Sequence, residues 1–428
     1  MSDRVKELEA ALADAPELKT RIDLQNSLAW ELRDTDPARS QSLSESAYQS
    51  ATSGTFEEHN YLRGEIMGLR GLAHANRRAG NLASSLSQST KALTQLEGAA
   101  LPDVESDVLR NIAIILGSLG NYAEGLEYGF RALKLAQSIG DREREAAVLS
   151  SMGVIYTHSE NFIEGLNVFS QALHINRAVG QMREEALTLN NMSLAHKGLG
   201  DYDSALTASK QALQLAVETN FVGLQVTAMG TVGEVYLAMG EYDQAGHYLQ
   251  EYLAAARSAD KRNETWALIL LGETDLRQGL HQSAVARLSE ALAIARQVGF
   301  RSEEARCHEL LADTFEQQGN LQEALTHFKL FHEVKETVFN EDMAKRVANL
   351  QILQQVETAK RNAEIHYLKT IELQREIDER KKAESTLEKL AAMDSLTGVL
   401  NRRAGSADRT QATRRPRLLT WNFVLPNS

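Results

Sequence analysis

The 428-residue sequence predicts an all-α protein: a right-handed superhelical solenoid of about eight helical hairpins, then a long coiled-coil helix and a disordered tail. Three observations lead there. A tripeptide of glycine, a polar residue and an aromatic or apolar residue returns every 39 or 40 residues. Apolar residues between its copies follow the i, i+3, i+4 spacing of helices. Proline occurs only 5 times, so long helices can run uninterrupted.

Residues 1–61 contain N-terminal helices and a degenerate first hairpin, carried by Leu28, Ala29, Leu32, Ala38 and Ala47. Regular repeats fill 62–339. Their beat is Gly80-Asn81-Leu82, Gly120-Asn121-Tyr122, Gly200-Asp201-Tyr202, Gly240-Glu241-Tyr242, Gly279-Leu280-His281 and Gly319-Asn320-Leu321, with Glu160-Asn161-Phe162 in the remaining place. Seven residues before each beat stands a small residue: Ala73, Ala113, Gly153, Ser193, Gly233, Gly272 and Ala312. A second series, Ala92, Ala132, Ala172, Ala212 and Ala291, lies twelve residues after, with Tyr252 and Phe331 standing in two alanine places. The glycine suits a left-handed residue closing the first helix of each pair, where a Cβ would be strained. The small residues let paired helices approach closely. One hairpin leaves its apolar face bare, so neighbours must stack.

These residues resemble the tetratricopeptide repeat family in its forty-residue form, over roughly Leu62 to Phe339, although Asp275 replaces an expected aromatic. The resemblance implies that the first helices line a concave surface and that the ligand is a protein or peptide segment. Projected onto that surface, the N-terminal half offers Asn26, Arg70, His74, Arg77, Arg110, Asn111, Asn190, Asn191 and Lys197. The C-terminal half offers Glu234, Glu273, Glu309, Asp313 and Glu316. The expectation is a peptide groove, basic at one end and acidic at the other. Asn would pair with peptide amides and Arg with carboxylates. Solvated faces of an ordinary solenoid would give the same pattern.

From Asn340 to Met393 neither Pro nor Gly occurs, so one helix there would reach ~80 Å. Its apolar residues, among them Val347, Leu350, Leu353, Val356, Ala363, Tyr367, Ile377, Leu387 and Ala391, form a seam interrupted by Lys360, Arg380 and Glu384. A parallel coiled-coil homodimer fits this seam, and a single solvated or back-folded helix is the alternative.

Residues 394–403, Asp394-Ser395-Leu396-Thr397-Gly398-Val399-Leu400-Asn401-Arg402-Arg403, resemble the opening motif of the diguanylate cyclase (GGDEF) family. The resemblance implies bacterial signal transduction, in which a regulatory half controls the joining of two GTP into cyclic di-GMP. The catalytic signature does not follow, since no Gly-Gly dipeptide occurs and only 25 residues remain after Arg403. The expectation is a non-catalytic regulatory module truncated after the domain's entrance, with a partial or frameshifted product of an active cyclase as the rival. The tail 404–428 carries Arg409, Arg414, Arg415 and Arg417, and is read as a disordered basic end or, alternatively, a nucleic-acid arm.

Composition narrows the partners. A net charge of -12 disfavours nucleic acid and anionic membrane surfaces. No apolar run approaches the ~18 residues that span a bilayer. Cys307 is the sole cysteine, which fits a reducing, cytoplasmic setting and a packing role for that residue. Phosphate loops, nucleophile elbows and zinc-ligand pairs are missing, and Cys307-His308 lacks further ligands in its neighbourhood, so no cofactor or metal is expected.

Overall fold

In a computed structural model, the structure describes residues 3–33, 35–53, 61–96, 99–257 and 260–392. The cyclase-like motif and the tail lie outside them. Among the described residues there are seventeen helices and no strand. Helix α1 (Asp3–Ala13) precedes eight hairpins. These pair α2 (Leu18–Leu32) with α3 (Pro37–Ser53), α4 (Leu62–Arg78) with α5 (Leu82–Gln95), α6 (Pro102–Ser118) with α7 (Tyr122–Ser138), and α8 (Arg142–His158) with α9 (Phe162–Val179). The series continues with α10 (Met182–Gly198) and α11 (Tyr202–Glu218), α12 (Val222–Met239) and α13 (Tyr242–Ala256), α14 (Lys261–Arg277) and α15 (His281–Val298), and α16 (Arg301–Gln317) and α17 (Leu321–Ala392). Two compact units are distinguished, 1–353 and 354–428.

The glycine beat closes the first helix of each pair as expected. Gly80, Gly120, Gly200, Gly240, Gly279 and Gly319 all have positive φ, and Glu160 adopts φ 61° in the place where glycine is missing. The next residue reaches back five positions, as in Asn81 N–H to the Asn76 carbonyl at 2.8 Å and Asn121 N–H to Leu116 at 2.9 Å, so the last carbonyls are satisfied. A second set of left-handed residues ends second helices at Gly140, Gly180, Asn220 and Gly299. These turns join one hairpin to the next.

In three hairpins a glycine of the first helix faces a residue sixteen positions later on the second. Where the first member is glycine the second is large. A Cβ on Gly153 would lie 2.5 Å from the Phe169 ring, and on Gly233 or Gly272 it would lie 2.6 Å from Leu249 or Leu288. Where the first is Ala73, Ala113 or Ser193, the corresponding second is Ser89, Gly129 or Ser209. In the three glycine hairpins the missing Cβ makes room for the large side chain opposite, as close packing requires. The alanine series is also buried: Ala92, Ala132, Ala172, Ala212 and Ala291 are inaccessible, and Tyr252 fits its alanine place by donating to Asn263 at 3.0 Å. Leu28, Ala29, Leu32 and Ala47 of the first hairpin are buried, whereas Ala38 is exposed.

The rod begins earlier than the break expected at Asn340. Helix α17 starts at Leu321 as the second helix of the last hairpin and continues to Ala392. No Gly or Pro lies between those residues, so nothing ends the helix. Of the seam residues, Val347, Leu350, Ile377 and Leu387 are exposed.

Candidate functional site

A trough of about 330 Å³ crosses the first helices of four consecutive hairpins. Helix α4 contributes Arg77; α6 contributes Arg110, Ile114, Gly117 and Ser118. Helix α8 contributes Ala147, Ser150, Ser151, Val154, Ile155 and His158, and α10 adds Glu184, Leu187, Thr188 and Asn191. Ile114, Val154 and Leu187 give its lining apolar surface. The Ser150 and Thr188 hydroxyls lie 3.1 Å apart and connect α8 to α10. No hydrogen bond engages the buried Arg110 Nε. Arg77 Nη2 stands 3.3 Å from His74 Nδ1.

Three of the sequence-selected residues therefore share the trough: Arg77, Arg110 and Asn191. The others are mostly rungs between hairpins. Arg70 is buried, forms an ion pair with Asp107, and lies 3.7 Å from the Trp30 ring centre. Asp107 also accepts from Arg144 Nε at 3.1 Å. Burial pulls the Arg70 guanidinium down to about 10. For Asp107 burial works to raise the carboxyl, but Arg70, Arg110 and Arg144 outweigh it and hold it below the ordinary value. His74 packs edge-on against Trp30, with ring centres 5.6 Å apart. Asn26 donates to the Gly64 carbonyl at 3.0 Å, and Asn111 donates to Ser89 Oγ at 2.9 Å. Asn190 is buried, and its Oδ1 accepts no hydrogen bond.

Several of the residues expected to divide the surface into basic and acidic ends pair along the stack instead. Lys197 binds Glu234, which also accepts from Trp266 Nε1 at 2.8 Å. Glu273 binds Arg306 at 2.7 Å, and Arg306 binds Glu309 at 2.6 Å. Asp313 and Glu316 are exposed; partial burial, with Glu309 and Glu316 nearby, pushes the Asp313 carboxyl up. Projection of each helix alone missed Trp30, Asp107 and Arg144. The available signal was a 37-residue interval shared by Arg70–Asp107, Asp107–Arg144 and Lys197–Glu234. One repeat less about one helical turn places two residues side by side on neighbouring first helices.

Cys307 is buried, and burial with Glu303 and Glu304 nearby pushes its thiol up to about 12. His308 instead meets His327 of α17, Nδ1 to Nδ1 at 2.8 Å, with Arg296 Nη2 2.9 Å from His308 Nε2. No group of three or more His, Cys, Asp or Glu side chains is placed to hold a metal ion among the described residues. No described helix is long and apolar enough to cross a membrane.

This geometry defines a helical-hairpin solenoid, and comparison with known proteins agrees. Residues 144–218, 184–258, 224–297 and 263–336 each match the tetratricopeptide repeat. Similar solved structures include the apo quorum sensor NprR from B. thuringiensis, at TM-score 0.58 and 15% identity over 77% of this chain and 92% of that one. A STAND protein with a tetratricopeptide repeat sensor from Pyrococcus horikoshii gives 0.59 and 15%, covering 80% of this chain and 55% of that one. A Rap protein complexed with Competence and Sporulation Factor gives 0.52 and 15%, covering 79% and 98%. These likenesses are of fold. No curated protein matches the chain. The repeat matches end at 336 and carry nothing about Asp394 to Arg403.

Proposed function

We propose that the chain is a non-catalytic recognition module that captures an extended peptide or protein segment in the trough across α4, α6, α8 and α10. The observation that carries this reading is the trough itself. Four first helices line it, with the small residues Gly117 of α6 and Ala147, Ser150 and Ser151 of α8, and with Arg77 of α4 and Arg110 of α6. A segment lying there would cover Ile114, Val154 and Leu187 and offer a carboxylate to the guanidiniums. The Rap structure that holds Competence and Sporulation Factor has a similar fold, which supports the reading. Selection of a phage-displayed peptide library on the full chain tests it. Peptides should be enriched, and Arg110→Ala should weaken them about 10- to 100-fold, the worth of a hydrogen bond to a charged group. Absence of enrichment, or equal affinity for the variant, would refute it.

The same reading makes the protein a signalling component that pairs as a homodimer through 340–393. The residues Asp394 to Arg403 favour, in addition, kinship with the regulatory half of a diguanylate cyclase. Reading the gene beyond the Arg403 codon in every frame tests that kinship. A Gly-Gly-(Asp/Glu)-Glu-Phe sequence supports it, and its absence in all frames opposes it.

A further inference from the structure

The last pair departs from the three in which a glycine faces a large residue. Phe328 on α17 occupies the place of Phe169, Leu249 and Leu288, but its counterpart is Ala312 rather than glycine. Phe169, Leu249 and Leu288 are fully buried, whereas Phe328 is 51% exposed. It is one of a row. Leu321, Leu325, Phe328, Phe339, Met343, Val347 and Leu350 are all exposed large apolar residues. At ~100° per residue they fall within an arc of roughly 100° on one face. Ala324, His327, Leu330, Phe331 and Val334, all partly buried, project to another side. His327 there contacts His308 and Phe315 of α16. Terminal repeats of a solenoid ordinarily turn a polar face outward. This one does not.

Another hairpin of the same design would not fit the bare face. Its place is taken in earlier hairpins by the buried Leu96, Ala136, Asn176, Ala216, Ala256 and Ala295, and in α17 by the exposed Lys335. The charges bordering the row differ in sign. Glu336 and Lys329 lie within one edge of the arc and Glu333 beyond it, while Arg346 lies at the other edge and Lys335 beyond it. A twofold axis parallel to the helix brings unlike borders together, and an antiparallel twofold brings like borders together.

We propose that this face is covered by α17 of a second copy of the chain, in parallel, so that the dimer contact starts at Leu321 inside the last hairpin. The inference rests on the pairing proposed above and relocates its origin from the rod to the solenoid's end. The apolar row has a mean spacing near 3.6 residues rather than 3.5, so the two helices run straight beside each other over this stretch.

Sedimentation equilibrium of the full chain over a range of concentrations tests it. The wild type should show twice 47.4 kDa. Phe328→Glu together with Phe339→Glu should raise the dimer dissociation constant by about 100-fold or more, with unchanged helical circular dichroism, because both residues are exposed in the single chain. Leu325→Cys and Phe339→Cys, made separately, should each form a disulfide between copies, since a parallel twofold sets every residue opposite itself. A monomer at all concentrations overturns both this inference and the pairing. A dimer lost through Ile377→Glu and Leu387→Glu but kept in the Phe328/Phe339 variant overturns the inference alone. Cross-linking by only one of the two cysteine variants overturns the parallel arrangement.

Discussion

Removing the Asp107 carboxylate should destabilise the N-terminal half of the stack far more than removing an exposed partner. Asp107 is 6% exposed and Arg70 7% exposed, and the pair is joined by Arg144 at 3.1 Å. Asp107→Ala leaves the Arg70 guanidinium buried over Trp30 without its counter-charge. Breaking a buried pair from one side costs about 3–5 kcal/mol. Asp103→Ala, which removes the partially exposed partner of Arg63 at 2.6 Å, should cost at most about 1 kcal/mol. Replacing both members, as Arg70→Met with Asp107→Leu, should recover much of the loss, because no uncompensated charge remains. Urea unfolding followed by circular dichroism gives the difference, and hydrogen exchange should place it in α4, α6 and α8, since repeat stability is carried by nearest neighbours. The Asp107 carboxyl is held below its ordinary value, so its contribution is present above pH 3.8 and is lost as the pH falls through its lower folded value. Acid sensitivity in that window should be blunted in Asp107→Ala. A loss below about 1 kcal/mol, or equal losses for Asp107→Ala and Asp103→Ala, would refute the buried-rung argument.

Glu160→Gly should stabilise the chain by about 1 kcal/mol in thermal unfolding, because Glu160 holds φ 61° where six sister turns use glycine. The opposite sign would show that its side chain offsets the strain. Burial, His327 and Arg296 pull His308 down to about 4, from an ordinary 6.5. The folded state therefore takes up a proton later than the unfolded chain, and stability should fall as pH drops from about 6.5 towards 4. Denaturation midpoints at stepped pH should show this fall, and His308→Gln should flatten it. An unchanged slope would remove His308 as the cause.

The repeat, its turns and its helical pairing were legible in the sequence because they rest on local chemistry. A glycine in a left-handed turn, a small residue under a neighbouring helix and an i, i+3 apolar row each announce themselves within a few residues. The seven beats led to the turns later found at Gly80 to Gly319. The second set of turns, at Gly140, Gly180, Asn220 and Gly299, carried the same signal with a weaker motif around it. The groove was less legible. Arg77, Arg110 and Asn191 reached it, whereas Arg70, Asn111, Lys197, Glu234 and Glu273 were taken up by partners on adjacent helices.

By itself, then, the amino-acid sequence determined that the chain is a stack of hairpins leading into a long helix, since glycine conformation and apolar period act over distances of a few residues. Only the tertiary structure decided which charged side chains are rungs between hairpins and which line the trough. Those roles depend on what lies about 37 residues away on the next first helix.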